Sequence, residues 1–519
     1  MNNNKVTLLL LTCGTNACYH VSKRLKECFG NRIRIVGADI NKEWMIPTKP
    51  FLDGFYQCPF TSDPSYYQFI LSICKKERVN FLMPSFDADQ KLFYDGNVDL
   101  EELDVKSFGI SQSLIDIYQS KEDTNSYLNS VGLPIPKLFS KDEVIVDKEY
   151  FCKPRNGVGS IGVKKMRGAD ILNLGDTDML IEEVCSEPEV TLECFNFDGK
   201  VYSVARERLD TKSGVCTKAR VYHDASLEKI AQIFAGSIKL PYIFNLQFMT
   251  NTNGEKVITD VNLRTAGGMS LSYAAGWDEA EALGKIMLGE KGVVDSVSQP
   301  IRSQYVIRAY TDIVTKTVEK RIAFDLDGTL LDSRKRHQVV MDYVLNEMHL
   351  DIDTSNLVSY KADGHNNVSW LESKGVDREK ATSINKRWVE LIEEERFLSE
   401  DVLYGNTIDI LKKCSQNNYL LLLTARNNVD GARKQISKLG LFQYFDDIKI
   451  VETSKKTPNL KGKILKEKII DEFYGDTESD MVAAEIAGCK FLVSTRGFRS
   501  PDYWKTFNVC YSELFNIDK

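Results

Sequence analysis

The 519-residue sequence has no large excess of either charge and no apolar run long enough to cross a bilayer. It holds 67 Lys and Arg against 74 Asp and Glu, and no basic stretch stands out, so nothing favours nucleic-acid binding. The apolar run at residues 5–13 is too short for the hydrophobic part of a cleaved signal peptide. We therefore expect neither a nucleic acid nor a membrane among its partners.

The cysteines lack the pairing that is typical of a disulfide framework. All twelve are scattered without a Cys-x-x-Cys pair or regular spacing, and several lie in apolar runs. In a chain of this length, that pattern favours reduced thiols and a cytoplasmic protein. Internal repeats and low-complexity segments are also absent from the sequence, and the length predicts two to four domains that each bury a core.

The first hundred residues alternate strand and helix patterns. Strand patterns at residues 6–14, 32–40 and 80–89 are separated by helical ones, which predicts a small doubly wound α/β layer. The Gly-x-Gly-x-x-Gly fingerprint is missing, so a dinucleotide is not expected here. Asp87 and Asp89 end the last strand pattern, where a substrate contact and a turn-forming role both remain open.

A lysine and a glycine-rich loop follow in the middle of the chain. A predicted strand carries Lys153 into a loop with Gly157, Gly159 and Gly162, and a predicted helix upstream begins near Lys121. Glycines let a backbone approach phosphates closely, and a lysine beside the loop neutralises their charge. A glycine-rich hairpin without a ligand is the alternative interpretation.

The segment at residues 182–185 reads as an extended hinge between two strand patterns. It consists of Glu182, Glu183, Val184 and Cys185, and its backbone groups can hydrogen-bond an adenine edge. Glu189, just beyond the hinge, can hold ribose hydroxyls. These residues suggest a nucleotide as the ligand.

Two further strand patterns, joined by a turn at residue 254, carry oxygen ligands. We expect them to place Gln247 opposite Asp260 and Asn262, with Arg264 just beyond. Oxygen ligands at this spacing suit Mg²⁺ shared with phosphates. Polar pairing across strands on a solvated sheet face is the alternative.

In this order, the lysines, glycine loop, hinge and Asp-x-Asn-x-Arg run resemble the ATP-grasp superfamily, in particular its carbamoyl-phosphate-synthetase-like branch. The resemblance covers residues 1–310, with residues 1–110 matching that branch's preceding α/β domain. The sequence departs from the usual pattern at Asp260, where glutamate is commoner, and at Gln247, where an acidic ligand is often found. Both departures bear on whether one or two metals bind.

The resemblance implies a role for each matching residue. ATP would be bound by Lys121, Lys153, Gly159, the hinge residues Glu182, Glu183 and Val184, and the ribose ligand Glu189. Mg²⁺ would be held by Asp260 and Asn262, and Arg264 would steady the transferring phosphate or an acyl-phosphate.

A second set of motifs begins with Arg321-Ile-Ala-Phe-Asp-Leu-Asp-Gly-Thr. A buried strand ends here in Asp325 and Asp327, and the turn after it allows both carboxylates to converge on one cation. One carboxylate can then attack a phosphorus atom while the other transfers the proton as a general acid and base. An ordinary Asp-Gly turn is the alternative.

Three more pieces follow in the last hundred residues. An apolar strand ends in Thr424, a helical pattern carries Lys461, and a loop led by glycine carries Asp476 and Asp480. A hydroxyl can hold a phosphate oxygen, a lysine can offset negative charge, and the last carboxylates complete a Mg²⁺ site. Lys463 is the rival of Lys461, because spacing alone does not separate them.

These four pieces resemble the haloacid dehalogenase phosphatase superfamily over residues 320–519. The resemblance implies Asp325 as a nucleophile that forms an aspartyl-phosphate and Asp327 as general acid and base. Thr424 and Lys461 would bind phosphate, and the metal ligands would be drawn from Asp325, Asp327, Asp476 and Asp480. The helical segment at about residues 333–402 would form a mobile cap over the substrate.

The sequence therefore predicts an α/β protein of three domains. They are a pre-ATP-grasp α/β layer at 1–110, an ATP-grasp domain at 111–314 and a Rossmann-like haloacid dehalogenase core with its helical cap at 320–519. Their expected cofactors are ATP and Mg²⁺, and their expected partners are small carboxylate, amine and phosphomonoester substrates. A homodimer is among the assemblies left open.

The predicted activities are an ATP-dependent carboxylate–amine ligase acting through an acyl-phosphate and a phosphatase acting through an aspartyl-phosphate. Two alternatives stay open. The front half is a small-molecule kinase in the first, and it binds ATP without turnover and gates the phosphatase in the second. The sequence names none of the substrates.

Overall fold

The computed structural model describes residues 5–118, 120–155, 162–174, 179–212, 214–507 and 509–512. The chain divides into two compact units, Met1–Thr315 and Lys316–Lys519. The predicted ATP ligand Gly159 lies outside the described residues. Each unit contains parallel and antiparallel sheets together with helices, so the α/β class predicted from the sequence is confirmed.

The first unit begins with a parallel sheet whose strand order is β3-β2-β1-β4-β5. Residues 8–11 of its central strand are at most 1% exposed, as expected for a strand with helices on both faces. The elements of this layer are β1 (Val6–Leu11), α1 (Asn16–Phe29), β2 (Ile33–Asp39), β3 (Gly54–Gln57), α2 (Tyr66–Glu77), β4 (Phe81–Met83), α3 (Asp87–Leu92), α4 (Val98–Glu102) and β5 (Lys106–Ser107).

Two antiparallel sheets follow in the first unit, with strand orders β6-β9-β7-β8 and β14-β13-β10-β11-β12-β15. Their elements are α5 (Gln112–Ile117), α6 (Lys121–Ser130), β6 (Leu138–Phe139), β7 (Glu149–Pro154), β8 (Lys164–Arg167), α7 (Gly168–Asn173), β9 (Met179–Glu182), β10 (Ser186–Phe197), β11 (Lys200–Lys212), β12 (Val215–Tyr222), α8 (Ala225–Ser237), β13 (Ile243–Thr250), β14 (Lys256–Asn262), α9 (Met269–Ala274), α10 (Glu279–Leu288) and β15 (Gln304–Ile307).

The N-terminal layer and the large antiparallel sheet share one hydrophobic core. That core includes Leu25 of α1, Val204 of β11 and Trp277 before α10. Helix α10 approaches α1 most closely at Gly284, where an added Cβ would lie 2.0 Å from the Phe29 ring. The close contact explains why a residue without a side chain stands in the middle of this helix.

The register between β13 and β14 corrects one expectation. Gln247 pairs with Asp260 as predicted, but Asn262 lies opposite Asn245. A residue in an antiparallel pair has one directly opposite partner, so Gln247 cannot face both oxygen ligands.

The second unit contains a parallel sheet of order β20-β19-β16-β21-β22-β23, the short pair β17-β18 and a group of helices between them. Its elements are β16 (Lys320–Phe324), β17 (Leu331–Asp332), α11 (Arg334–Glu347), α12 (Leu357–Ala362), α13 (Asn367–Ser373), α14 (Arg378–Leu391), α15 (Glu395–Leu398), β18 (Val402–Leu403), α16 (Thr407–Asn417), β19 (Asn418–Ala425), α17 (Val429–Lys438), β20 (Asp447–Val451), α18 (Thr457–Glu467), β21 (Glu472–Gly475), α19 (Glu478–Ala487), β22 (Lys490–Val493), α20 (Pro501–Trp504) and β23 (Cys510–Tyr511).

Helices α11 to α15 have their own core, built around Trp370, Met341 and Ile384. They occupy the segment for which a helical cap was predicted. In the parallel sheet, the carboxyl ends of β16, β19 and β21 lie at the same edge because these three strands are neighbours. Among the residues described, no helix combines the length and the apolar character needed to cross a bilayer.

Glu279, the first residue of α10, is a buried acid without a partner. Its side chain is 1% exposed, and neither carboxylate oxygen has a hydrogen-bond partner within the described part of the chain. Burial and the nearby charges of Glu193 and Asp278 raise the pKa of Glu279 well above its usual range, against the opposing effect of Arg206. The folded chain therefore holds a proton here that the unfolded chain releases above about pH 4.3.

We expect the free energy of unfolding to fall as pH rises from 5 to 8. In the variant Glu279→Gln, the free energy of unfolding should fall by less over the same range. The sign follows because the folded state binds more protons at this site than the unfolded state does. At pH 8 the variant should be the more stable protein, because glutamine is neutral at every pH and folding then requires no proton uptake at this site. Urea unfolding at both pH values measures it.

Glu281→Gln, two residues along the same helix at a partly exposed carboxylate, is the matched control. It should leave the pH dependence of stability unchanged. Equal pH dependence in Glu279→Gln and the unsubstituted protein would contradict this account of Glu279.

Candidate functional sites

Three carboxylates of the second unit meet at the carboxyl edge of its parallel sheet. Asp325 directly follows β16, Asp476 directly follows β21, and Asp480 lies in the first turn of α19. Each contributes an oxygen, and these oxygens all lie within 4.8 Å of one another. All three side chains are buried, at 6%, 0% and 1% exposure respectively.

Lys461, on α18, lies between two of these carboxylates. Its Nζ donates to Asp325 Oδ1 and to Asp480 Oδ1, both at 2.7 Å, and the residue is 3% exposed. Burial alone would lower the pKa of Lys461, but the two carboxylates outweigh it and raise the pKa. Lys463 instead points to solvent, 3.8 Å from Glu467. The structure therefore brings Lys461, and not its rival, to the cluster.

The cluster carries more negative charge than its lysine can balance. Burial raises the pKa of Asp325 to about 7 in spite of Lys461, and burial with the charges of Asp325 and Asp480 raises that of Asp476 well above its usual range. Asp476 Oδ2 accepts a 2.8 Å hydrogen bond from the Phe498 amide, whereas Oδ1 is buried without a partner among the described residues. Three oxygen donors and an orphaned carboxylate oxygen fit a divalent cation such as Mg²⁺.

Gly328 lets the turn after β16 approach these carboxylates. It has a positive φ of 72°, and an added Cβ would lie 2.0 Å from Asp476 Oδ2. Any side chain here would displace a carboxylate of the cluster. The Asp-Gly turn noticed in the sequence is therefore a structural requirement of the site.

Asp327 was predicted both as general acid and base and as a metal ligand, but it is not part of the described carboxylate cluster. Its carboxylate instead binds two arginines, Arg336 Nη2 at 2.6 Å from Oδ1 and Arg426 Nη2 at 2.7 Å from Oδ2. Burial would raise the pKa of Asp327, but these arginines outweigh it and lower the pKa. Sequence reasoning missed both arginines, although Arg426 stands two residues after Thr424 in the same motif.

Thr424, predicted to bind phosphate, is 1% exposed and lies near the carboxyl end of β19. This strand is the parallel neighbour of β16, so Thr424 and Asp325 lie at the same edge of the sheet. Its phosphate-binding role stays a prediction.

In the first unit, a cavity of about 310 Å³ collects several of the predicted ATP-site residues. Lys121 at the start of α6, Lys153 in β7, and Asp260 and Asn262 in β14 all line it. Asp87, whose role the sequence left open, lines the same cavity and accepts a 3.0 Å hydrogen bond from Arg264 Nε. Residues from four separate segments of the sequence thus surround one space.

Lys153 is held in place by a buried ion pair. Its Nζ lies 2.6 Å from Glu182 Oε1, with side chains 5% and 2% exposed. Asn125 donates to the same Glu182 oxygen at 3.2 Å. Because the ion pair already orders this lysine, binding a phosphate would cost little further side-chain conformational entropy.

The other predicted nucleotide ligands have internal partners. The Glu183 carboxylate accepts from the Lys137 amide at 2.8 Å and from Thr252 Oγ1 at 2.9 Å, and Glu189 pairs with Arg208. Burial would raise the pKa of Glu183, but these hydrogen bonds outweigh it and lower the pKa. Val184 follows β9 in an irregular stretch. The roles of these residues toward ATP stay predictions.

The chain is similar to three protein family models. The model described as "ATP-grasp in the biosynthetic pathway with Ter operon" matches residues 176–312. The model described as "Haloacid dehalogenase-like hydrolase" matches residues 322–494, and "PylC-like, N-terminal domain" matches residues 8–108. Both families predicted from the sequence are thereby confirmed.

Individual proteins resemble parts of the chain. A phosphoglycolate phosphatase from Rhodobacter capsulatus is 25% identical over 187 residues, which are 34% of this chain and 85% of that protein. An L-amino acid ligase from Bacillus licheniformis aligns with a TM-score of 0.46 and 14% identity over 61% of this chain and 83% of that one. A haloacid dehalogenase-like hydrolase from Streptococcus pneumoniae aligns with a TM-score of 0.32 and 20% identity over 37% of this chain and 92% of that one. Neither structural likeness carries an argument about function.

We expect Mg²⁺ to raise the melting temperature of the second unit and Asp476→Asn to abolish that rise. Binding to the folded state alone stabilises it by mass action, and each kcal/mol corresponds to about 2–4 °C in a domain of this size. In EDTA the same variant should melt above the unsubstituted protein, because it removes a buried carboxylate that lies beside two others and has one oxygen without a partner. Calorimetry in Mg²⁺ and in EDTA measures both effects.

Asp502→Asn, at an exposed carboxylate of the same unit, is the control. It should keep the full response to Mg²⁺. An Asp476→Asn protein that keeps the same response would show that the cation binds elsewhere.

Proposed function

We propose that this enzyme, which joins an ATP-grasp region to a haloacid dehalogenase-like hydrolase region, is a bifunctional ligase and phosphatase. The front region would couple a small carboxylate to an amine with ATP, and the back region would remove phosphate from a small phosphorylated metabolite. The observation that carries the proposal is the buried group of Asp325, Lys461, Asp476 and Asp480, which provides a nucleophile, a cation and metal ligands in one place.

In the phosphatase reaction, an oxygen of Asp325 attacks the phosphorus of the substrate and the bond to the leaving oxygen breaks. Asp327 would act as general acid and base: Arg336 and Arg426 favour its charged form, which takes a proton from the water that hydrolyses the aspartyl-phosphate, and that proton then passes to the leaving oxygen of the next substrate. Lys461 and the Thr424 hydroxyl hold phosphate oxygens. Mg²⁺, bound by Asp325, Asp476 and Asp480, would offset the charge of the nucleophile and the phosphoryl group.

Helices α11 to α15 suit the role of a cap. They would keep water from the aspartyl-phosphate until the leaving group has departed. The likeness to a phosphoglycolate phosphatase supports a small phosphomonoester as the substrate.

In the ligase reaction, Lys121 and Lys153 bind the ATP phosphates. The backbone of Glu182 to Val184 forms hydrogen bonds with the edge of the adenine. Glu189 holds the ribose, while Asp260 and Asn262 hold Mg²⁺. The substrate carboxylate attacks the γ-phosphorus, which releases ADP and forms an acyl-phosphate beside Arg264. An amine then displaces phosphate from the acyl group, giving an amide.

The proposed domains are 1–110, 111–314 and 320–519. A fusion of this kind suggests that one small metabolite passes through both reactions. Independent turnover of unrelated substrates at the two sites would remove the support for that idea.

We expect Lys461→Met to lower phosphatase activity about 100- to 1000-fold, because the charge of Asp325 and the phosphate then lacks its fixed counter-charge. Lys463→Met should stay within about twofold of the unsubstituted protein, since an exposed lysine contributes little. Hydrolysis of p-nitrophenyl phosphate in Mg²⁺ measures both. Equal losses in the two variants would contradict the assignment of Lys461.

For the ligase, we expect Asp325→Asn protein to release ADP only when a carboxylate and an amine are both present. The substitution silences the phosphatase, so ATP turnover can be followed against pools of amino acids, small carboxylates and amines. Adding Asp260→Asn should lower ADP release by at least about 100-fold, because a ligand of the phosphate-bound metal is lost. Asp142→Asn, at an exposed acid of the same unit, is the control.

Two outcomes would replace the ligase proposal. ADP formed with a carboxylate or another acceptor but without any amine would favour the kinase alternative. ATP binding without ADP release in any pool would favour a nucleotide that gates the phosphatase.

A further inference from the structure

Two buried arginines beside the carboxylate cluster keep unused hydrogen-bond donors. Arg336 on α11 is 1% exposed and Arg426 after β19 is 4% exposed, and both bind Asp327. Arg336 Nη1 and Arg426 Nε have no hydrogen-bond partner within the described ranges. A buried donor without a partner is costly, so these nitrogens indicate a ligand that supplies acceptors.

Lys361, on α12, is a third cation, and unlike the two arginines it has no carboxylate partner among the described residues. Its Nζ lies 2.8 Å from His337 Nδ1 and 3.2 Å from Asn367 Oδ1, and no described carboxylate comes within 4.0 Å of it. Two aromatic rings also lie close, with Nζ 4.9 Å from the centroid of the Trp388 ring and 5.6 Å from that of Phe498. Surface cations of the same helical group do have acidic partners, for example Lys335 with Glu400.

The surroundings of Lys361 disfavour its charge until an anion arrives. Burial, together with the charges of Arg499 and Arg336, lowers the pKa of Lys361 to about 7. Burial and the charges of Lys361, Arg336 and Arg426 lower the pKa of His337 well below its usual range, so this ring stays neutral and can accept from the ammonium. Asp327 and Asp401 already offset part of the charge of the arginines, and a negatively charged ligand would offset the repulsion that Lys361 still meets.

Short contacts connect Lys361 to the phosphoryl site. The ring of Phe498 lies 4.4 Å from that of His337, and the Phe498 amide is the donor that holds Asp476. His337 directly follows Arg336, whose guanidinium reaches Asp327. Contacts through His337 and Phe498 thus connect Lys361 with the surroundings of Asp476 and Arg336.

We propose that Lys361 and the free guanidinium nitrogens of Arg336 and Arg426 form a subsite for a second anionic group on the phosphatase substrate. The substrate class is then a phosphomonoester whose leaving group bears a carboxylate or a second phosphate close to the ester oxygen. The subsite rests on the proposed phosphatase function and adds the chemistry that selects its substrate. Arg336 and Arg426 would act both as positioning residues for Asp327 and as ligands of the second anion.

The test compares substrates that differ in one group. 2-Phosphoglycolate and ethyl phosphate are matched except that a carboxylate replaces a methyl group, and phosphoethanolamine places a cation at a similar point. The full chain in Mg²⁺ should show a kcat/KM at least about tenfold higher for 2-phosphoglycolate than for either of the others, since a charge-assisted contact is lost with them. Ethanediol bisphosphate carries a second phosphate in place of the carboxylate. Whichever of it and 2-phosphoglycolate has the higher kcat/KM identifies the anionic group that the subsite prefers.

The variant Lys361→Met distinguishes a loss of substrate recognition from a loss of folded protein, because only recognition depends on the second anionic group of the substrate. It should raise KM for 2-phosphoglycolate or the bisphosphate about 10- to 100-fold with little change in kcat, and it should leave ethyl phosphate hydrolysis unchanged. Lys361→Arg should recover part of the loss. Lys380→Met, at an exposed lysine on α14, should behave as the unsubstituted protein on every substrate.

The outcomes distinguish this proposal from the one it rests on. The subsite would be overturned if phosphomonoesters with and without a second anionic group were hydrolysed equally well. It would also be overturned if Lys361→Met lost the same activity on both kinds of substrate. Either result would leave the proposed phosphatase function intact. No hydrolysis of any phosphomonoester, p-nitrophenyl phosphate included, would overturn both.

Discussion

The second unit depends on one buried lysine that lies between two carboxylates. Lys461 donates to Asp325 and to Asp480 at 2.7 Å, where none of the three side chains is more than 6% exposed. Burying a charge without a partner is costly, and removing one partner from a buried pair leaves the other uncompensated. The lysine makes it feasible to bury the Asp325 carboxylate, and the orphaned oxygen of Asp476 fits the metal ion that we propose for this cluster.

The parallel sheet brings these groups together. Because β16, β19 and β21 are neighbours and run the same way, residues that follow them in the chain meet at one edge, although Asp325 and Asp476 lie 151 positions apart in the sequence. The helical segment after β16 then carries Arg336 onto Asp327. The first unit uses a buried pair in a similar way, since Glu182 positions Lys153 beside the cavity that Asp260 and Asn262 line.

Much of this arrangement can be read from the sequence, and the exceptions have physical causes. Short motifs such as Asp325-Leu-Asp327-Gly328-Thr329 are local, because turn geometry requires the glycine and the chemistry requires the acids. Lys461 and Lys463 could not be separated by spacing alone, because the orientation of α18 against α19 decides which lysine is buried. The two arginines on Asp327 were missed because single arginines carry no pattern, and their role arises only when a helix and a strand end pack together.

By itself, the sequence determined the α/β class, the two enzyme families and the order of their motifs, since these depend on residue types at short spacing. Only the tertiary structure decided that Asp327 faces two arginines and lies outside the carboxylate cluster, that Asn262 pairs with Asn245, and that no described carboxylate lies within 4.0 Å of the Lys361 amine. The reason is that charge balance and burial depend on distances between segments far apart in the chain. Those distances are set by packing, which local patterns do not encode.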